Sequence, residues 1–444
     1  MIYSNVKAKL SFIGACLFFF SSNIISQSEC RSIIGAHINP ISKDSTLGLG
    51  LETVVGLGYI DSNPIANFMA IGAFDFTSKN KNHRFYIEGV GKYWSKFHGT
   101  PGKGKTAEAA DTTETSESSS EDKKYVGMRE AFYMFKHLNT TLKAGIQTTT
   151  AGDYYLVDER VLGFKAIQQI HSFQIQAMVA TTNRDLARMQ NVCGVKPLYN
   201  VLKNKLNINQ VGINTFETNF FNTTLKWEPG KVSTPAASSS ADEFETTDEF
   251  SEVKTNNNFT FNELGIIYYQ EFGSGFTTNR NYIGAYSSIN LLAGIEIKLE
   301  AMRQFVSNNN VYSYMAELDK NFVWKSNANT NINIGYMGKL NIDTGAVFMP
   351  AFTNLFLGEV ARLDAFDLPA YYGSIKHTFP IKFNPHLRLR FVGQEIGNNT
   401  KEFDVEAGFK FSGHAKFTGI YSLISSNLVQ SNINMFRLEI RYAF

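Results

Sequence analysis

The chain has 444 residues with 42 Lys and Arg against 40 Asp and Glu, so its formal net charge is +2. This balance argues against a nucleic-acid-binding protein, because phosphate contacts need a concentrated basic face. Aromatic residues make up 14% of the chain, yet the mean hydropathy is only -0.18. These values exclude a bundle of transmembrane helices, each of which needs about 20 consecutive apolar residues.

Residues 1–26 have the pattern of a secretory signal peptide. Lys7 and Lys9 precede the apolar run LSFIGACLFFF, and small residues near Ser26 offer a cleavage site. We therefore expect an exported chain in which residues 27–444 form a single domain.

The chain has 3 cysteines. Cys16 ends an Ile-Gly-Ala-Cys sequence that resembles a lipidation box, but the apolar run continues past it. Cys30 and Cys193 would remain after cleavage and could form one disulfide outside the cytoplasm. The sequence does not decide whether these two cysteines meet.

Most of the remaining chain consists of short alternating runs separated by Asn, Gly, Ser, Asp and Lys, which is typical of strands joined by turns. The first predicted strands are 46–59, 66–77, 83–97, 125–136, 140–147 and 163–170. The links SKNKN and HLNT are short, whereas those at 99–124 and 148–162 are long, and a count back from the C-terminus makes 342–368 a long link too. Alternating short periplasmic turns and longer outer loops are typical of bacterial barrels.

These links predict an all-β fold, a transmembrane antiparallel β-barrel. Because residues 271–290 are ambiguous, the expected number of strands is about 18, within a range of about 16 to 20.

Two segments differ from the strands in composition. Residues 99–124 and 229–258 are rich in Ser, Thr, Ala and acidic residues and contain few large aliphatic side chains. Such segments bury too little apolar surface to offset the entropy of ordering, so we expect both to be mobile outer loops.

The last ten residues, MFRLEIRYAF, carry the strongest strand pattern. Large apolar residues share one face and charged residues the other: Phe436, Leu438, Ile440, Tyr442 and Phe444 against Arg437, Glu439 and Arg441. A period of two suits a strand that lies between lipid and water. A terminal Phe on such a strand resembles the assembly signal of outer-membrane barrels. The bacterial outer membrane, its lipid and the barrel-assembly machinery are therefore the expected location and partners.

The same period recurs in residues 142–147, 291–304, 387–394 and 402–411. A charge on the lipid face costs about 2–4 kcal/mol at mid-membrane, so the charged residues should point into the lumen. The lumen candidates from this pattern are Glu296, Glu300, Arg388, Arg390, Asp404, Glu406, Arg437, Glu439 and Arg441. Two interpretations stay open. The charges neutralise one another, or the arginines form a basic constriction that passes anionic or sugar-acid solutes.

Other motifs carry less weight. Residues 99–106 (GTPGKGKT) fit the phosphate-loop pattern, but the residues that follow have no apolar face with which a helix could pack. The eight His show no metal-ligand or catalytic spacing, so we expect no cofactor, no metal and no catalytic residues. Tyr371 with Tyr372, and Tyr133 with Phe135, fit aromatic girdles at the membrane interfaces better than a sugar-binding platform.

Several blocks resemble the alginate-export porins. They are REAFYMF at 129–135, LKAGIQ at 142–147, Gly152-Asp153, VDERVLGFKA at 157–166, the block at 348–358 that begins FMPAF, and residues 401–412 before the closing strand. This chain has Ile146 where the family usually has Arg. The resemblance implies an 18-stranded barrel with a charged lumen for an anionic polysaccharide or a smaller solute. It also implies four lumen residues: Lys143, Gln147, Asp158 and Arg160.

The predicted function is an outer-membrane channel for passive export or uptake of polar solutes, anionic or carbohydrate in nature, without covalent chemistry. A structural or adhesion barrel without an open pore is the main alternative, and a barrel hydrolase is a further one. The sequence leaves the solute, the direction of flow and the oligomeric state open.

Overall fold

We analysed a computed structural model of the chain. The structure describes residues 39–40, 46–60, 63–94, 123–151, 156–182, 218–229, 259–273, 279–291, 294–306, 309–341, 369–394, 399–412, 414–425 and 432–443. The predicted signal peptide, Cys30, Cys193, the motif at 99–106, the block at 348–358 and Phe444 lie outside the described residues. No helix among the described residues is long and apolar enough to cross a membrane.

Eighteen of the described strands form one closed antiparallel barrel, which confirms the predicted fold class. Each strand pairs with its neighbours in the chain, and the last strand pairs with the first one of the ring from Met435 opposite Ile60 to Ala443 opposite Glu52. A short additional strand, β1 (Asn39–Pro40), pairs with the beginning of β2. The barrel strands are β2 (Leu47–Ile60), β3 (Asn63–Thr77), β4 (His83–Trp94), β5 (Lys123–His137), β6 (Thr140–Ala151), β7 (Val157–Ile170), β8 (Phe173–Thr182), β9 (Thr218–Trp227), β10 (Thr260–Gly273), β11 (Arg280–Leu291), β12 (Ile295–Val306), β13 (Asn309–Val323), β14 (Asn329–Asn341), β15 (Ala370–Thr378), β16 (His386–Gln394), β17 (Lys401–Ser412), β18 (Ala415–Ser425) and β19 (Ile433–Ala443).

Burial alternates along the strands in the sense opposite to that of a soluble sandwich. On β16, Leu387, Leu389 and Phe391 are 42%, 39% and 45% exposed, whereas Arg388 and Arg390 between them are 5% and 4% exposed. The apolar face is therefore the outside of the cylinder and the charged face is the inside. This arrangement is the one that a period of two gives when hydrocarbon surrounds the barrel.

The connections distinguish the two ends of the barrel. We call the end that carries residues 78–82, 138–139 and 171–172 the turn end, and the opposite end, which carries 95–122, 183–217 and 342–369, the loop end. The ring begins and finishes at the turn end.

Two of the expected links need correction. Strand ends alternate in an antiparallel ring, so the strands that flank 228–259 meet it at the turn end, whereas those that flank 95–122 meet it at the loop end. The segments 99–124 and 229–258 therefore cannot both be outer loops, although their own residues lie almost wholly outside the described part. The expected long link at 148–162 is also wrong, because β6 and β7 continue to Ala151 and from Val157 and leave only residues 152–156 between them.

A belt of aromatic side chains surrounds the outside of the turn end. Its members lie near the turn ends of their strands and are 41% to 50% exposed: Phe76, Phe85, Tyr133, Phe173, Phe261, Trp324, Phe379, Phe411 and Tyr442. Aromatic rings prefer the boundary between lipid and water, so this belt marks one membrane interface. Tyr133 belongs to it, as expected for a girdle residue.

Tyr372 is not a girdle residue. It is 3% exposed on the inner face, and its hydroxyl donates a hydrogen bond of 2.7 Å to Glu317 Oε2. To reach Glu317 on β13 its ring passes over Gly335 on β14, where an added Cβ would lie 2.1 Å from the ring. The absence of a side chain at Gly335 is thus what lets the tyrosine cross the intervening strand.

This close approach predicts that Gly335→Ala destabilises the folded barrel by about 1–3 kcal/mol, the usual effect of overpacking. Gly72 is the matched control, because nothing lies within 4 Å of a Cβ added there. Urea unfolding in detergent micelles, followed by the heat-modifiable band shift, measures both variants. Equal stability of the two variants would contradict the role assigned to Gly335.

Candidate functional site: the charged inner wall

Charged side chains from late strands lie side by side on the inner wall. Register pairs Arg388 with Glu406 and Arg390 with Asp404 across β16 and β17. We call the buried charged residues from β15 round to β2 the late-strand wall. They are Lys376, Arg388, Arg390, Glu402, Asp404, Glu406, Arg437, Glu439, Arg441 and Glu52.

Glu406 is the centre of this wall. Its carboxylate, fully buried, lies 3.2 Å from Arg390 Nη2, 3.6 Å from Arg388 Nη1 and 2.9 Å from His386 Nε2. Arg390 also places Nε 3.4 Å from Asp404 Oδ2. The two arginines of β16 are therefore engaged by acids of the neighbouring strand and are not isolated positive charges.

The last strand repeats the arrangement within itself. Glu439 lies between two arginines on the same face, 2.5 Å from Arg441 Nε and 4.0 Å from Arg437 Nη1. Residues two apart on a strand share a face, which is why one glutamate can meet both.

Charge in the late-strand wall is balanced. Its five cations are Lys376, Arg388, Arg390, Arg437 and Arg441, and its five anions are Glu52, Glu402, Asp404, Glu406 and Glu439. Removing charges from water is costly unless opposite charges and hydrogen bonds compensate them, so a balanced set is the physically consistent one. Of the two interpretations left open by the sequence, this pairing favours the neutralising network over a basic constriction.

A second group lies on β12 and β13 and is mainly acidic. Lys298 Nζ bridges Glu317 Oε1 at 3.4 Å and Asp319 Oδ2 at 3.7 Å. Asn333 donates to Asp319 Oδ1 at 3.1 Å, and Ser288 donates to Glu296. The predicted Glu300 faces inward on the same strand as Lys298 and is 4% exposed.

A β-bulge organises the third group, on β4 to β6. The register shifts where Glu88 pairs with Glu130 and Gly89 pairs with Met128, so Arg129 is the extra residue. Arg129 is fully buried and forms an ion pair with Glu88, which also accepts a hydrogen bond of 2.7 Å from the Tyr86 hydroxyl. A bulge places two successive side chains opposite one residue of the partner strand, and here both are charged.

The residues implied by the family resemblance lie near this bulge. Gln147 is fully buried and donates to the Gly163 carbonyl at 3.1 Å, and Lys143 Nζ lies 3.7 Å from the centre of the Phe132 ring. Both belong to the set of alternate residues of β6 whose side chains face the inside of the barrel. Arg160 is 8% exposed and lies 3.6 Å from Glu130. It is two residues before the exposed Leu162, so regular alternation along β7 would have placed it on the outer face.

The alternation of β7 is interrupted at this point, because Arg160 and its neighbour Val161 are both buried. Asp158 pairs with Thr150 through its backbone, and its side chain lies outside the described part of the chain.

The structure thus brings the β16, β17 and β19 candidates into one wall and places Lys143 and Gln147 on a separate part of the inner surface. Glu317, Asp319, Glu88 and Arg129 were missed. The sequence could have predicted Glu317 and Asp319, because outward residues (Tyr312, Tyr314 and Leu318) alternate with inward ones along β13 in the same way as on β19. Within the described residues no group of three His, Cys, Asp or Glu is placed to hold a metal ion.

Comparison with known proteins gives a match of fold. No family model and no curated protein matches the chain. The crystal structure of Acinetobacter baumannii OccAB2 has a TM-score of 0.51 and 12% identity, and the match covers 90% of this chain and 98% of that one. Pseudomonas aeruginosa OprD has a TM-score of 0.50 and 11% identity over 93% of this chain and 99% of that one. A doubly substituted OccD1 (OprD) has a TM-score of 0.51 and 11% identity, and the match covers 93% of this chain and 99% of that one.

The chain has the fold of an outer-membrane porin. At 11–12% identity the likeness shows the fold alone and does not single out the alginate-export porins. The predicted location in the outer membrane agrees with this fold.

The Glu406 cluster predicts a strong asymmetry between single and double substitutions. Glu406→Gln should destabilise the barrel by about 3 kcal/mol or more, because it leaves buried arginines without their shared acid. Adding Arg390→Gln should restore part of that loss, with a coupling of about 0.5–3 kcal/mol. A double-mutant cycle by urea unfolding measures it, and strictly additive losses would show that the pair does not interact.

Proposed function

We propose that the protein is a passive channel for small polar solutes across the outer membrane. The observation that carries this proposal is the closed ring of eighteen described strands with apolar residues outside and charged residues inside. Such a cylinder satisfies its backbone within the bilayer and keeps ionic groups away from lipid. The loop end, which carries three of the four longest connections between the described strands, would face the outside of the cell.

The solute class follows from the balance of charge. Paired arginines and acids attract anions weakly, so the late-strand wall supports passage of neutral polar molecules such as carbohydrates better than passage of anions. Side chains that hydrogen-bond without a large net field hold a polar solute loosely, as a conducting channel requires. An alginate-type polyanion, which the family resemblance in the sequence implies, is therefore the less favoured solute.

A barrel without an open pore is the second candidate, and one observation favours it. The side chains of the late-strand wall are 0% to 9% exposed, so they form a packed layer. In that case the charges would specify and stabilise the barrel interior rather than line a path. The matched structures are porins, and they lend no support to a hydrolase. Recognition by the barrel-assembly machinery and the role of each candidate lumen residue remain predictions.

Conductance separates the two candidates. Protein reconstituted in planar bilayers should give stepwise conductance with weak ion selectivity. Asp404→Asn with Glu406→Gln leaves the arginines uncompensated, so it should raise the anion-to-cation permeability ratio by about twofold to fivefold. Arg388→Ala with Arg390→Ala should shift the ratio in the opposite direction.

Lys401→Gln is the control, since Lys401 is exposed on the outward face of β17 and should leave the ratio unchanged. Folded protein without conductance would favour the closed barrel. Conductance without any shift in either double variant would remove the late-strand wall from the solute path.

A further inference from the structure

One arginine lies on the outside of the barrel, where apolar residues are expected. Arg303 follows Leu299 and Ala301 in the outward series of β12, and it lies opposite Tyr312 on β13 and Ile283 on β11. Leu299 and Ile283 are 44% and 46% exposed on that surface. Arg303 therefore faces the surroundings of the barrel and not its lumen.

Its height on the barrel is fixed by a short connection. Arg303 lies three residues before the end of β12 at Val306, and residues 307–308 alone separate this strand from β13 at the loop end. A hairpin so short cannot extend far beyond the bilayer. The outward rings of Phe305, Tyr312 and Tyr314 cluster at the same height, as aromatic residues do at a membrane interface.

The guanidinium is held in a fixed position by neutral groups. Its centre lies 4.3 Å from the Phe305 ring and 5.4 Å from the Tyr312 ring, within the range of cation–π contacts. Asn310 Oδ1 accepts hydrogen bonds from Nε at 3.4 Å and from Nη2 at 3.2 Å. Among the described residues no carboxylate pairs with Arg303, and Nη1 has no protein acceptor there.

A positioned cation at the lipid surface calls for an anion from the lipid. We propose that Arg303 binds the phosphate of a lipid in the outer leaflet, an inference that rests on the outer-membrane placement proposed above. Guanidinium groups bind phosphate through two parallel hydrogen bonds, and aromatic rings keep the plane of the group fixed for such contacts. The exposed Leu299 lies deeper on the same surface and the exposed Ile283 lies directly beside Arg303, so both supply apolar contact for the acyl chains.

The probe is diphosphoryl lipid A in mixed detergent micelles, and native mass spectrometry reads the bound fraction. Arg303→Gln should weaken binding by about threefold to tenfold, which corresponds to one charge-assisted contact at a half-buried site. Lys401→Gln is the matched control, because Lys401 is likewise an outward cation at the loop end but is exposed and lies on β17. It should bind lipid A as the unmodified chain does, and inorganic phosphate should not compete.

Equal affinity of the Arg303→Gln variant and the unmodified chain would overturn the proposal. So would equal losses in both variants, which would indicate general surface charge, or competition by inorganic phosphate, which would indicate a site for free anions. A change of oligomeric state in Arg303→Gln without a change in lipid A affinity would assign the residue to a contact between copies instead. Binding in micelles does not depend on conductance, so a barrel that fails as a channel leaves this test intact.

Discussion

Backbone amides and carbonyls inside a bilayer find no water, so each must be hydrogen-bonded within the protein. A sheet meets this condition only when it closes, and here the pairing of β19 with β2 completes the ring. Closure fixes which side of every strand faces lipid. The side chains then follow with a period of two, apolar outward and polar inward. The aromatic belt at the turn end and the charged inner wall are both consequences of this single arrangement, and Arg303 is an exception to it.

The register between neighbouring strands determines which charged side chains meet on the inner wall. Because β16 and β17 are antiparallel and in register, Arg390 lies opposite Asp404 and Arg388 lies opposite Glu406. Cations and anions are thereby paired at the spacing of adjacent strands, which is where cross-strand ion pairs form. The wall is consequently balanced, and its field on a passing solute is weak unless one partner is removed. Ion pairing and solute preference thus depend on the same register.

The alternation in the sequence was enough to predict the barrel, an approximate number of strands and the inward faces of β12, β16, β17 and β19, because a period of two is a local property. Three features of the structure could not be predicted from the alternation. The contacts of Glu406 with two arginines and one histidine depend on register, which alternation does not determine. The bulge at Arg129 depends on an extra residue whose position only the partner strand reveals. The assignment of 229–258 to an end of the barrel depends on counting every strand, and the ambiguous stretch at 271–290 prevented that count.

The most direct test of the alternation is a spin-label scan of β18 in lipid vesicles. Single cysteines replace Ile420, Tyr421, Ser422 and Leu423 in a chain whose own cysteines are changed to serine, and collision with dissolved oxygen reports contact with hydrocarbon. Tyr421 and Leu423 belong to the outward series, while Ile420 and Ser422 are 1% and 0% exposed. We predict high oxygen accessibility at Tyr421→Cys and Leu423→Cys and low accessibility at Ile420→Cys and Ser422→Cys. Uniform accessibility along the strand, or the opposite alternation, would contradict a lipid-facing outer surface.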